Sequence, residues 1–224
     1  FKTLNPSKEQ FNKKISINKE FNFKINNPIY NKEWKDIFYS QSNNFDNFKY
    51  NNVNELSFKS QKISKYTIND YLLYEKDNII FSDEQGNIII FSIDESKIIN
   101  KYNFYKKKYK NIKKELNLII ENNVIYVSDN FGYLYAFDYI KNKILWAKNY
   151  KTPFRSNLKI KNNKIITANQ NNDLYFFDKL TGDALRLIPT EENLVKNEFI
   201  NNLSLNDKYT LFLNTYGSLY AINN

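Results

Sequence analysis

The chain has no cysteine, which rules out a disulfide framework, a thiolate metal centre and a cysteine nucleophile. It has no histidine either, so the commonest general base and metal ligand is missing. No apolar run reaches the roughly 18 residues that would suggest a membrane-spanning helix, and no signal peptide is visible. Methionine is absent and the sequence opens on Phe1, so we expect an excerpt or a processed product. Glycine is scarce: the four present are Gly86, Gly132, Gly182 and Gly217.

The chain is rich in lysine, asparagine, isoleucine, phenylalanine and tyrosine, the residues that AT-rich codons encode. Lysine and arginine number 33 against 24 acidic residues, a formal charge of +9. That excess is spread along the chain, so we read it as codon composition rather than a polyanion site, and expect no nucleic-acid partner. One run is denser, Tyr105–Lys114 (YKKKYKNIKK). Its interleaved tyrosines and lysines could stack bases and grip phosphates. At a connection between structural units it reads instead as a solvated loop or a charged edge guard.

The stretch 124–149 (VIYVSDNFGYLYAFDYIKNKILWAKN) alternates short apolar, aromatic and β-branched runs with Asn, Asp and Gly turns. This is the signature of successive antiparallel hairpins. With 117–120 (NLII) in front, it forms one four-stranded up-and-down unit. The turn-strand pattern of Gly132 onward recurs at Gly86 (GNIIIFS), Asn172 (NDLYFFD) and Gly217 (GSLYAIN). The spacings are 46 (86 to 132), 40 (132 to 172) and 45 (172 to 217). A period of roughly 40–50 residues with four short strands is that of a β-propeller blade. A β-sandwich also repeats strands every 8–12 residues or so, but would not give four in-register copies. The expected fold is therefore all-β, a propeller of four-stranded antiparallel blades.

The repeats lie at about 71–104, 117–149, 158–188 and 203–224. Residues 31–224 are read as a partial propeller with four to five blades present, and residues 1–30 as an extended N-terminal arm. Residues 55–66 (ELSFKSQKISKY) read as an outer strand leading into the first repeat. Residues 190–202 read as a longer connection. The last repeat stops after its third strand, so further blades are expected beyond Asn224. Gly182 and its counterpart Asn142 occupy hairpin positions that need positive φ. Isolated acids such as Asp83, Glu84 and Asp129 read as turn chemistry rather than as ligands.

Residues 136–146 (AFDYIKNKILW) fit A-x-D-x-x-x-x-K-x-x-W and resemble the repeat of the PQQ-like propeller family. Asp138, Lys143 and Trp146 match that pattern, and the third repeat keeps Asp178, Thr181 and Gly182 but has Arg186 in place of the tryptophan. The resemblance implies that Trp146 docks on the neighbouring blade and that the aspartates shape hairpins. Within the family, quinoprotein dehydrogenases hold PQQ and calcium at the axis. This chain offers neither the adjacent cysteine pair nor a carboxylate cluster to match, so no catalytic, cofactor or metal residue is carried over and no enzyme is expected. Pro28, Asn31 and Trp34, followed by the Asn-rich loop 41–47 (QSNNFDN), are similar to the segment before the first blade in BamB. BamB proteins are scaffold lipoproteins of outer-membrane β-barrel assembly. That resemblance implies eight blades, a place on the periplasmic face of the outer membrane, and a lipid anchor lying outside this chain. It also implies a partner, the periplasmic domains of the barrel-assembly protein. The implied contact is the connection 193–199 (NLVKNEF), with Leu194, Lys196 and Phe199 as its residues. A quinoprotein dehydrogenase fragment and a generic propeller adaptor are the alternatives.

Overall fold

The structure, a computed structural model, describes residues 24–30, 33–50, 55–56, 58–69, 71–105, 109, 111–191 and 200–224. Four antiparallel sheets follow one another along these residues, each with its strands in sequence order. The first holds β1 (Leu73–Glu75), β2 (Asn78–Ser82), β3 (Asn87–Ser92) and β4 (Lys97–Asn103). The second holds β5 (Leu116–Glu121), β6 (Val124–Asp129), β7 (Tyr133–Asp138) and β8 (Lys143–Asn149). The third holds β9 (Lys159–Lys161), β10 (Lys164–Ala168), β11 (Leu174–Asp178) and β12 (Ala184–Ile188). The fourth has three strands, β13 (Asn202–Leu205), β14 (Tyr209–Leu213) and β15 (Leu219–Asn223). These are the blades of a partial β-propeller.

Turn chemistry sets the strand lengths. Between the first two strands of blades one, two and three lie Lys76-Asp77, Asn122-Asn123 and Asn162-Asn163, all six residues at positive φ. A two-residue loop of that hand matches the twist of the strands it joins, and asparagine tolerates it best among non-glycine residues. Between the second and third strands, one Asp or Asn accepts two backbone N–H groups in every blade. Asp83 accepts from Gln85 and Asn87, Asp129 from Phe131 and Tyr133, Asn169 from Asn171 and Asp173, and Asn214 from Tyr216 and Ser218. A bulge interrupts the third-to-fourth strand pairing at the same place in three blades, at Ile90/Phe91, Ala136/Phe137 and Phe176/Phe177.

The core lies between the blades. Side chains alternate across a strand, and β7 feeds two cores in this way. Tyr135 and Phe137 point into the cluster shared with Ile88 and Ile90 of blade one. Leu134 and Ala136 point the other way, to Ile165 and Phe177 of blade three. A third cluster joins Ile166 and Phe176 to Leu203 and Phe212 of blade four. Each fully buried aliphatic or phenyl side chain contributes about 1.5–3 kcal/mol, so neighbouring blades depend on one another for stability.

Two expectations need correction. Residues 55–56 and 58–66 form no strand. Instead Ile63 packs on Phe81, Ile89 and Phe91, and the Phe58 ring lies 5.6 Å from Phe91. The segment covers the face of blade one against which no other blade packs among the described residues, so its apolar residues meet side chains and not a strand ladder. The basic stretch is not simply a solvated loop. Both its ends pack into the fold: Lys114 is 1% exposed and donates to the Tyr109 carbonyl, and the half-buried Tyr105 donates its hydroxyl to Asp129. Burial raises the Tyr105 pKa above its ordinary value, and Asp129 and Tyr135 beside it push the same way. Residues 106–108 and 110 lie outside the described residues.

Candidate functional site

Strand direction divides the propeller into two ends. The turns between second and third strands, and the connections from each fourth strand to the next first strand, share one end. The two-residue turns and the third-to-fourth hairpins share the other.

The motif residues build this second end. Asp138 accepts from the N–H groups of Ile140 and Lys141, and Asp178 from those of Leu180 and Thr181. Trp146, opposite Ala136 on β8, donates through Nε1 to the Lys179 carbonyl of the next blade at 3.1 Å. Its ring lies flat enough on Gly182 that a Cβ there would sit 2.4 Å from Trp146 Cε3. Arg186 holds the matching register position, opposite Phe176, and covers that ring at 5.5 Å. Its Nη1 donates to the Asn223 carbonyl of blade four. Gly86, Gly132 and Gly217 are at the first end, closing the turns between second and third strands. Trp146 and Arg186 tie their blades to the next, while the aspartates and glycines close turns.

The axis was not legible in the sequence. Residues 34–43 cross the first strands of all four blades in order. Trp34 exchanges two backbone bonds with Tyr74 of β1, both 2.8 Å. The Lys35 carbonyl accepts from Ile120 of β5. Gln41 donates to the Ile160 carbonyl of β9, and its own carbonyl accepts from Leu205 of β13. Asn43 donates to the Leu203 carbonyl. At the centre, Lys159 Nζ donates to Asp36 Oδ2 at 2.7 Å and to the Ser40 carbonyl at 2.8 Å. Lys159 is 0% and Asp36 5% exposed. Burial raises the Asp36 pKa and lowers that of Lys159, and each partner's charge opposes the shift on the other. Rings of Trp34, Tyr39, Phe45 and Phe48 close the segment on itself at 5.0–5.9 Å.

The first end carries a cavity of about 330 Å³. All four blades supply part of its wall: Ile68, Asn69 and Tyr71 leading into β1, Glu115 and Leu116 at the start of β5, Phe154 and Arg155 before β9, and Ile200 before β13. Arg155 Nη1 lies 2.7 Å from Glu115 Oε2, and Lys113 Nζ 3.8 Å from Glu115 Oε1. Sequence reasoning treated 151–157 as a bridge and missed Arg155. The proposed contact residues Leu194, Lys196 and Phe199 lie outside the described residues, so they are not placed relative to this cavity.

Four successive sheets with Asx-closed turns and a tryptophan docked on the next blade define a partial β-propeller. Residues 114–223 match the family model described as outer membrane protein assembly factor BamB. No curated protein matches. Among solved structures the chain is similar to the computationally designed Ika4 protein, with a TM-score of 0.57 and 13% identity over 74% of this chain and 99% of that one. It is similar to BamB from Moraxella catarrhalis, with a TM-score of 0.53 and 16% identity over 66% of this chain and 44% of that one. It is also similar to quinohemoprotein alcohol dehydrogenase from Comamonas testosteroni, with a TM-score of 0.58 and 13% identity over 70% of this chain and 27% of that one. At these identities the likeness is one of fold. The chain spans less than half the length of the BamB structure it matches.

Proposed function

We propose that this chain is part of a non-enzymatic scaffold of BamB type, working on the periplasmic face of the outer membrane in β-barrel protein assembly. Its partners are other proteins, first among them the periplasmic domains of the barrel-assembly protein. The membrane is reached only through a lipid anchor outside this chain. The match of residues 114–223 to the BamB family carries the reading. A rigid platform suits it: cores shared between blades fix their relative angles, and the connections at one end are left to meet a partner.

The axis favours a scaffold over an enzyme. In a quinoprotein dehydrogenase the first strands surround a cofactor. Here their edges are engaged by residues 34–43, with a buried ion pair where that cofactor would need room.

The test is binding of the complete protein to the periplasmic domains of its own host's barrel-assembly protein, at two salt concentrations. Saturable binding that is lost when Leu194 and Lys196 are changed together supports the scaffold and places the contact. No binding at micromolar concentrations overturns the assigned partner and leaves the propeller standing.

A further inference from the structure

We propose that the cavity at the first end is an anchor pocket for a neutral, extended peptide segment of a partner protein. The pocket would take one apolar side chain, and a backbone carbonyl of the peptide would accept a hydrogen bond from Arg155. The proposal rests on the scaffold reading and adds the chemistry of the docking site.

Composition gives the first argument. Of 33 basic residues only two, Arg155 and Arg186, are arginine. In a chain that otherwise uses lysine for positive charge, these two positions use the planar fork. Arg186 uses it to cover Phe176 and reach Asn223. Arg155 uses one arm on Glu115, a bond that lysine could also make.

The rest of the Arg155 fork is unspent. Its backbone is fixed on both sides, donating to the Ala168 carbonyl at 2.9 Å and accepting from Asn201 at 2.7 Å. Its side chain is 17% exposed, and Nε is buried without a hydrogen-bond partner among the described residues. A buried donor left alone is costly, so an acceptor brought by a ligand gains more here than at an open surface.

Charge selects which acceptor. The cavity wall holds two cations, Lys113 and Arg155, and two anions, Glu84 and Glu115. Both cations already face Glu115. A phosphate or an acidic side chain would meet Glu115 across the same guanidinium, and the balanced field offers it no net attraction. A peptide carbonyl supplies the acceptor without the charge. The remaining wall is apolar: Leu116 and Phe154 are buried behind it, while Ile68 and Ile200 stand 39% and 61% exposed at its rim. A buried apolar seat with a polar hydrogen-bonding rim is how interface anchors are received.

With two arginines in the chain, their Nε–Hε groups give two resonances in isotope-edited spectra, assigned by Arg155→Lys. The probes are short capped peptides of serine, asparagine and glycine with a central leucine or phenylalanine. The same peptides with a central aspartate, and inorganic phosphate, serve as controls. The neutral apolar peptides should shift the Arg155 resonance saturably and leave that of Arg186 in place. Ile200→Lys, a change at an exposed position with an unchanged melting temperature, should weaken that shift about tenfold or more. Equal shifts from aspartate peptides or phosphate, both arginines moving together, or no shift at millimolar peptide would each overturn the pocket. Barrel-assembly domains that bind Ile200→Lys as tightly as the unaltered protein would also overturn it while leaving the scaffold reading intact. A peptide shift without any binding of those domains would keep the pocket and remove the assigned partner.

Discussion

The contact of Trp146 with Gly182 can be tested by adding a single carbon. Gly182 has φ +74°, and a Cβ there would meet Trp146 Cε3 at 2.4 Å and Cζ3 at 2.5 Å. Carbon atoms cannot share that space, and the indole is held by its bond to the Lys179 carbonyl. Gly217 is a control supplied by the same fold: its φ is +85°, yet nothing lies within 4 Å of its would-be Cβ. Alanine at either position bears the left-handed backbone cost, about 1–2 kcal/mol. Only Gly182→Ala adds overpacking against the half-buried indole, a further ~1–3 kcal/mol. Urea titration should therefore place Gly182→Ala about 2–5 kcal/mol below the parent and Gly217→Ala about 1–2 kcal/mol below. In a Trp146→Ala background the overpacking part should vanish, giving a coupling of about 1–3 kcal/mol. Trp34 and Trp146 are the two tryptophans, so fluorescence follows the docking directly. Equal costs for the two glycine variants, or an additive double variant, would refute the claim that the indole holds the blades in register.

Three further outcomes follow from buried polar groups. Lys159→Met should destabilise by about 3–5 kcal/mol by leaving Asp36 buried without its counter-charge, and adding Asp36→Asn should restore part of the loss in thermal melts. Because burial raises the Asp36 pKa, the folded state binds its proton more readily than the unfolded chain does. Its contribution is therefore greatest below the ordinary carboxylate range and is lost as pH rises through the raised value, so Asp36→Asn should flatten that part of the stability profile. Asn157→Ala removes two 2.9 Å bonds to the backbone of Leu203; the carbonyl keeps its bond from Asn43, and the N–H is stranded. A loss of about 1–3 kcal/mol is expected, with faster amide exchange at Leu203. At high pH, Tyr126 is pushed up to about 12 by burial, with Glu121 adding to the shift, and burial also raises Tyr105 and Tyr135. The unfolded chain gives up these protons from about pH 10, so their stabilisation is intact below that pH and lost toward 12. The absorbance of these three phenolates should then appear only with loss of the fold, and ionisation of all 18 tyrosines near pH 10 with the fold retained would contradict the burial.

The blades were legible because each repeats one local solution. Runs such as 133–138 (YLYAFD) alternate strictly enough to feed two cores, and the Asn and Asp at 83, 129, 169 and 214 close equivalent turns. The axis was not legible, because 34–43 has no period of its own. Its contacts lie between 40 residues away (34 to 74) and 164 (41 to 205), and no local pattern encodes them. Residues 55–66 misled for a related reason. Phe58 and Ile63 are spaced as a strand might space them, but what they answer is the bare face of blade one. Arg155 looked like part of a connection until the fold brought it to Glu115, 40 residues earlier.

The axial crossing also bears on how the chain folds. Lys159 to Asp36 spans 123 residues, Gln41 to Ile160 spans 119, and Asn43 to Leu203 spans 160, whereas each hairpin closes over a few. Contacts of such high sequence separation form late, after the entropy of closing their loops has been met. Residues 34–43 precede the four described blades on the chain; Tyr74 and Ile120 can engage them early, but their bonds to Leu203 and Leu205 wait for β13. The segment is therefore fully secured last, and until then its crossing of the first strands is incomplete. A chain stalled before Leu203 would show three blades formed but its axis only partly clasped, and in that state it would be most exposed to proteases and chaperones.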